Sequence, residues 1–182
     1  MTDPKLRVLI SAEQIQERVR QLGEKISEDY PTGDLHMIGI LKGAVFFMTD
    51  LARAMKREVQ IDFMGISTYG KGKTSSGEVK VTKDLDISLE GADVLIVEDI
   101  VDSGVTLNYL MKLLDQRRPH SIRIAALLDK PERRLRPVHV SYVGFEIPDQ
   151  FVVGYGLDYA EKYRNLDAIC VLEDSPEWSE GG

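Results

Sequence analysis

No stretch limits the folds open to this chain more than Ala92 to Val97 (ADVLIV), with its unbroken apolar core from Val94 to Val97. Apolar residues at consecutive rather than alternate positions are the pattern of a strand covered on both faces, as in a parallel sheet flanked by helices. The residues that follow change character at once. Glu98-Asp99 are acidic, Asp102-Ser103-Gly104 form a small polar turn, and Leu107, Leu110, Met111 and Leu114 recur on one helical face. The order is strand, loop, helix.

The same alternation recurs along the chain. Ser11 followed by Gln14 predicts a capping box, and Ile15, Val19, Leu22 and Ile26 continue it as an amphipathic helix. Pro31 and Gly33 end that helix; Met37 to Leu41 reads as a short buried strand ending at Lys42-Gly43, and a second helix is expected from about Ala44 to Lys56. Val59 to Ser67 has strand character, Gly70 to Gly77 (GKGKTSSG) is predicted as a mobile loop, and Glu78 to Thr82 as the return strand of a long hairpin. Ile122 to Leu128 is a further buried strand ending at Asp129-Lys130-Pro131, with Val138 to Val143 another strand candidate. The predicted class is therefore α/β. With 182 residues, 43% of them hydrophobic, the chain suits one domain, with a frayed acidic tail from Glu173 to Gly182.

Composition narrows the partners. No apolar run approaches the roughly 20 residues of a membrane helix, and the N-terminus lacks the pattern of a signal peptide, so the expectation is a cytoplasmic protein without a membrane partner. A lone cysteine, Cys170, excludes an internal disulfide and a multi-cysteine zinc cage, and reads as a small buried residue in a strand. A formal net charge of −7 and a pI near 5.0 argue against nucleic acid as the main partner. Any anionic ligand must then be met locally, by glycine-rich loops, helix N-termini, a bound cation or particular basic residues.

Open α/β sheets bind ligands at the carboxyl ends of their strands, which directs attention to Val94 to Leu107 (VLIVEDIVDSGVTL). Successive N–H groups from Asp102 through Ser103, Gly104, Val105 and Thr106 to Leu107, with the Ser103 and Thr106 hydroxyls, can surround a phosphate. Glu98 and Asp99 could hold sugar hydroxyls or a magnesium ion upon them. Taken singly, the acids could merely end a strand and Asp102-Ser103 merely cap a helix; the complete array points to a ribose 5-phosphate. Neither a Gly-Lys-Ser/Thr phosphate loop nor a G-x-G-x-x-G dinucleotide turn is present.

This segment resembles the phosphoribosyl pyrophosphate (PRPP) motif of the type I phosphoribosyltransferases. Leu41-Lys42-Gly43, Ser67-Thr68-Tyr69-Gly70, Leu128-Asp129-Lys130 and Phe145 to Asp158 (FEIPDQFVVGYGLD) resemble that family's hypoxanthine-guanine branch, and the likeness extends from about Leu6 to Leu172. The resemblance implies a central, mostly parallel sheet flanked by helices, with a small hood and a flexible lid loop. It further implies that Lys42, Gly43 and Arg164 meet pyrophosphate, Lys42 often through a non-proline cis peptide, and that Thr68 and Tyr69 belong to the lid. Lys130, Phe151, Val152 and Asp158 would surround the purine, with Lys130 on its exocyclic oxygen, Phe151 stacking and the Val152 backbone at the ring edge. Mg2+ is the implied cofactor, held mainly by ligand oxygens with Glu98, Asp99 or Asp158.

The expected reaction joins a 6-oxopurine to PRPP, with Asp102 as the general base near N7 and Lys130 drawing electrons from the O6 side. Two other readings stand beside it. One is a phosphoribosyltransferase for xanthine, adenine or a pyrimidine, against the last two of which Lys130 and Phe151 argue. The other is an RNA-binding, nucleotide-sensing regulator on the same fold, using Arg117-Arg118 with Arg133-Arg134-Arg136 as a basic face. The resemblance also implies a homodimer or homotetramer.

Overall fold

In the computed structural model residues 5–69 and 78–173 are described. The expected mobile loop from Gly70 to Gly77, and the tail after Glu173, lie outside the described residues. Ser11 starts helix α1 (Ala12–Asp29) as its sequence predicts: the Gln14 N–H donates to Ser11 Oγ at 3.3 Å, and the Ser11 N–H donates to Gln14 Oε1 at 2.9 Å. Ile15, Val19, Leu22 and Ile26 are all buried on one face.

The remaining elements alternate. Strand β1 (Leu6–Ile10) precedes α1; β2 (Leu35–Leu41), α2 (Val45–Ala54), β3 (Gln60–Tyr69), β4 (Glu78–Lys83) and β5 (Asp93–Val101) follow it. Helix α3 (Val105–Asp115), β6 (Ser121–Asp129), β7 (Tyr142–Glu146), β8 (Val152–Val153) and β9 (Ile169–Leu172) complete the chain, with a 3₁₀ turn at Pro131–Arg133. Six strands form the main sheet in the order β4-β3-β2-β5-β6-β7; all neighbours are parallel except β4, which pairs antiparallel with β3. Its strands alternate between two cores. Met37, Leu95 and Val97 meet α1 and α2 on one face, while Ile38, Val94 and Ile96 meet Leu107, Leu110 and Leu114 of α3 on the other.

This is why Val94 to Val97 has no polar position. Each such fully buried aliphatic side chain contributes about 1.5–3 kcal/mol.

Two strands, β1 and β8, have no predicted counterpart, and β9 is expected only through the strand reading of Cys170. β1, β9 and β8 form a small antiparallel sheet, the hood, in that order. β8 is only two residues long, and β1 and β9 pair from the far ends of the described chain, so neither gives a local periodic signal. Cys170 is buried in β9, as read from the sequence.

Two boundaries also need correction. β5 does not stop at Val97 but continues through both acids, because Ile100 and Val101 still pair with Leu128 and Asp129 of β6. The expected strand from Val138 to Val143 is displaced to Tyr142–Glu146: Val138 and Val140 direct their apolar side chains to the α3 core, and pairing with β6 starts only at Ala125 and Tyr142. Among the described residues no helix is long and apolar enough to cross a membrane.

Candidate active site

The chain leaves β2 towards β3 on one side and β5 towards β6 on the other, so a crevice opens where the carboxyl ends of β2 and β5 diverge. Part of the set singled out from the sequence gathers around it. Thr68, Glu98, Asp102, Ser103, Thr106 and Leu107 line one cavity of about 250 Å³. A larger hollow of about 600 Å³ lies at the amino ends of β2 and β3, between Pro31 and Gln60. It carries none of the expected groups and is on the wrong end of a parallel sheet for a ligand site.

Gly104 precedes α3 in the left-handed region at φ +79. A side chain there would be strained and would press on the Arg136 carbonyl, so the glycine serves the packing of the 134–138 segment as well as access for a ligand. Ser103 Oγ accepts the Val105 N–H at 3.3 Å, and the helix has no side-chain N-cap. The N–H groups of Thr106 and Leu107 are thus left facing outward with the positive end of the helix dipole, a setting for an anion.

The two acids of β5 differ in surroundings. Glu98 is buried in the cavity, and burial, together with the neighbouring Asp99 charge, pushes its carboxyl well above the usual range. Asp99 is partly open; desolvation pushes it up to about 6, against the pull of the Ile100 N–H, which donates to its Oδ1 at 2.7 Å. Arg164 and Asp158 act on Asp99 with opposite sign, so the three belong to one charge cluster. Buried carboxylates held near neutrality are the groups that gain from a cation or a sugar diol. Oxygen donors of this kind fit magnesium. Among the described residues no three metal-ligating side chains converge.

On the other side of Asp99 lies the loop after β2. The Leu41–Lys42 peptide is cis. A Cβ on Gly43 would overlap the Asp99 carboxylate, and one on Gly156 would overlap the Gly43 carbonyl, so the 154–164 segment is seated directly on this loop. Lys42 Nζ pairs with Glu161 Oε2 at 2.9 Å. Arg164 pairs with Asp158 at 3.0 Å and with Glu161 at 3.3 Å, while its buried Nε has no partner among the described residues. Both cations expected to meet pyrophosphate therefore share one carboxylate that the sequence reading did not include.

The turn after β6 carries Lys130, which is buried, its Nζ 3.6 Å from Asp149 Oδ1. The Lys130 N–H donates to the Val101 carbonyl at 2.9 Å, which anchors this turn to the end of β5. Phe151 is half-buried and meets Tyr159 edge-on at 5.7 Å; Val152 is buried in β8, paired with Val171. Thr68 and Tyr69 end β3 opposite Val79 and Glu78, at the base of the expected lid.

Arg133, Asp149 and Glu161 are ion-paired with the expected site residues Asp102, Lys130 and Lys42 respectively. Their partners lie far away in sequence, and only the stretches that contain them offered a signal. The basic face considered for RNA binding is largely neutralised. Arg117 pairs with Asp84, Arg118 with Glu90, Arg133 with Asp102 and Asp149, and Arg134 with Asp129.

A sequence model described as the phosphoribosyl transferase domain matches residues 11–160. The hypoxanthine-guanine phosphoribosyltransferase of Bacillus subtilis is 53% identical over 167 residues, covering 92% of this chain and 93% of its own length. The crystal structure of a hypoxanthine phosphoribosyltransferase from Staphylococcus aureus superposes with a TM-score of 0.90 at 47% identity, covering 97% of this chain and 94% of that one. A Trypanosoma cruzi hypoxanthine phosphoribosyltransferase, studied for the role of its C-terminal region in oligomeric state and activity, superposes with a TM-score of 0.89 at 41% identity, covering 98% and 96%.

Proposed function

The chain belongs to the phosphoribosyltransferase family, in its hypoxanthine-guanine branch, and from that premise we propose that this purine phosphoribosyltransferase moves the 5-phosphoribosyl group of PRPP to N9 of hypoxanthine or guanine. The products are IMP or GMP and pyrophosphate. The observation that carries this reading is the convergence of the uncapped α3 N-terminus, Glu98 and Asp102 on one cavity, beside the turn that holds Lys130.

Ser103 to Leu107 hold the 5-phosphate through backbone N–H groups. Glu98 and Asp99 meet the ribose hydroxyls, and Lys42, Gly43 and Arg164 receive the pyrophosphate. Phe151 stacks on the base, with the Val152 backbone and Asp158 at its edge. Breaking the anomeric bond develops positive charge on the sugar and negative charge on the leaving group, so fixed cations at the pyrophosphate end lower the barrier. Asp102 accepts the N7 proton as N9 attacks, and the Lys130 ammonium donates to O6. Asp99 and Asp158, with Glu98 close by, would hold magnesium, which when bound neutralises pyrophosphate charge. Thr68 and Tyr69 belong to a lid that excludes competing water. The chain forms one domain and acts in the cytoplasm as a homodimer or homotetramer.

Nucleotide formation from PRPP with hypoxanthine, guanine, xanthine, adenine and uracil, followed by pyrophosphate release with and without a chelator, tests the reading. Turnover of hypoxanthine or guanine that stops on chelation is expected. Preference for xanthine would move the substrate assignment, and PRPP binding without turnover of any base would overturn the reaction. Salt-dependent RNA retention on filters would revive the regulator, against which the paired arginines argue.

A further inference from the structure

The carboxylate assigned as base is held by a group that none of the roles above includes. Arg133 Nε donates to Asp102 Oδ1 at 2.7 Å, and Arg133 NH1 lies 3.5 and 3.4 Å from the two oxygens of Asp149. Asp149 in turn faces Lys130 Nζ at 3.6 Å. Charges alternate along Asp102, Arg133, Asp149 and Lys130, from the group assigned to N7 to the group assigned to O6. Arg133 closes the 3₁₀ turn that begins directly after Lys130, with its N–H on the Lys130 carbonyl at 3.2 Å. Its position relative to Lys130 is therefore fixed by backbone.

We propose that Arg133 is a positioning residue for the transfer reaction, setting the orientation of Asp102 and, through Asp149, its spacing from Lys130. One Asp102 oxygen is engaged; Oδ2 accepts no hydrogen bond among the described residues, and it is the oxygen left to take the proton. A planar guanidinium can serve two carboxylates at once in a fixed fork, which an ammonium cannot do with the same directionality. Both side chains of the Arg133–Asp102 pair are nearly half exposed, at 49% and 43%. Pairs so exposed contribute little to stability. The network's effect thus falls on geometry rather than folding, and misplacing a reacting group by about 1 Å can cost on the order of 10²-fold in rate.

The inference rests on Asp102 as the base, and a double-mutant cycle separates the two claims. Steady-state kinetics would be measured for Arg133→Leu, Arg133→Lys, Asp102→Asn and the Asp102→Asn/Arg133→Leu double variant. Arg133→Leu should lower kcat by about 10- to 100-fold with the KM for PRPP within about two-fold, and Arg133→Lys should recover part of the loss. In the Asp102→Asn background the same Leu substitution should change kcat by less than about two-fold. An equal loss in both backgrounds, or an unchanged kcat in Arg133→Leu, overturns the inference while leaving the base assignment intact. Wild-type turnover in Asp102→Asn alone overturns both. Should Arg133→Leu lower the melting temperature, Asp149→Asn supplies the second test. It must reduce kcat and raise the KM for the purine, and an unchanged purine KM overturns the proposed spacing role.

Discussion

Replacing Asp99 with Asn should disable PRPP binding and yet stabilise the ligand-free protein at alkaline pH. Burial moves the Asp99 carboxyl from 3.8 to about 6, so the folded chain holds this proton more tightly than the unfolded chain does. For such an acid the folded state is penalised as pH rises from the unfolded value to the folded one. The penalty is absent below about 3.8 and constant above about 6. At about 1.4 kcal/mol per unit the full penalty is at most about 3 kcal/mol. Because Asp99 is partly open to solvent, a gain of about 1–2 kcal/mol is expected on removing the charge. In a chain of this size that corresponds to a rise of about 3–6 °C in Tm. The Asn oxygen can still accept the Ile100 N–H, so the packing is kept. Relief of Glu98, whose carboxyl the Asp99 charge also pushes up, adds in the same direction. Thermal unfolding of both proteins with a chelator at pH 8 and pH 4.5 is the assay, and the gain should shrink to roughly a third at the lower pH. A loss of stability at pH 8, or a gain of equal size at both pH values, would refute the reasoning.

Other outcomes follow from contacts at the site and in the core. Glu161→Gln, by releasing Lys42 and Arg164, should tighten inorganic pyrophosphate binding about two- to five-fold in calorimetry, and weaker binding would contradict the shared pairing. Gly156→Ala, at φ +103 and against the Gly43 carbonyl, should cost about 2 kcal/mol or more in urea unfolding and raise the KM for PRPP; a silent variant would show that the two loops are not in contact. Phe47→Ala, which empties a fully buried position under α2, should cost about 3–5 kcal/mol, and a urea midpoint shift equivalent to less than about 1 kcal/mol would contradict that packing.

The sequence was most legible where short-range rules act alone. The Ser11 box, the apolar face of α1 and the β5-to-α3 loop are each specified by residues within a turn or two of one another. Strand ends were less legible, since whether Glu98 and Asp99 lie beyond or within β5 depends on Leu128 and Asp129 of another strand. The hood was expected from the resemblance alone; its strands are short and their partners distant, so no local pattern marked them. Within the site, positions set by motif spacing were readable, but ion pairs were not. Asp102 finds Arg133 across 31 residues and Lys42 finds Glu161 across 119, and no local pattern encodes such a meeting. Gly104 was readable as a glycine that a phosphate loop needs, whereas its second duty against Arg136 appears only once the 134–138 segment is packed.

The hood also imposes a schedule on synthesis. Among the described residues β8, which carries Val152 beside Phe151, hydrogen-bonds as a strand only to β9, and β9 joins β1 with Leu172 opposite Leu6 at the far end of the chain. A ribosome delivers the chain from its N-terminus, so β2, β5, α3 and β6 can pair and cover their cores while β9 is still unmade. The crevice for a sugar phosphate can therefore form on the nascent chain, but the wall assigned to the purine cannot. β1 must wait beside an unfinished sheet with its hydrogen-bonding edge open, and until β9 emerges that edge is where a neighbouring nascent chain could add a strand.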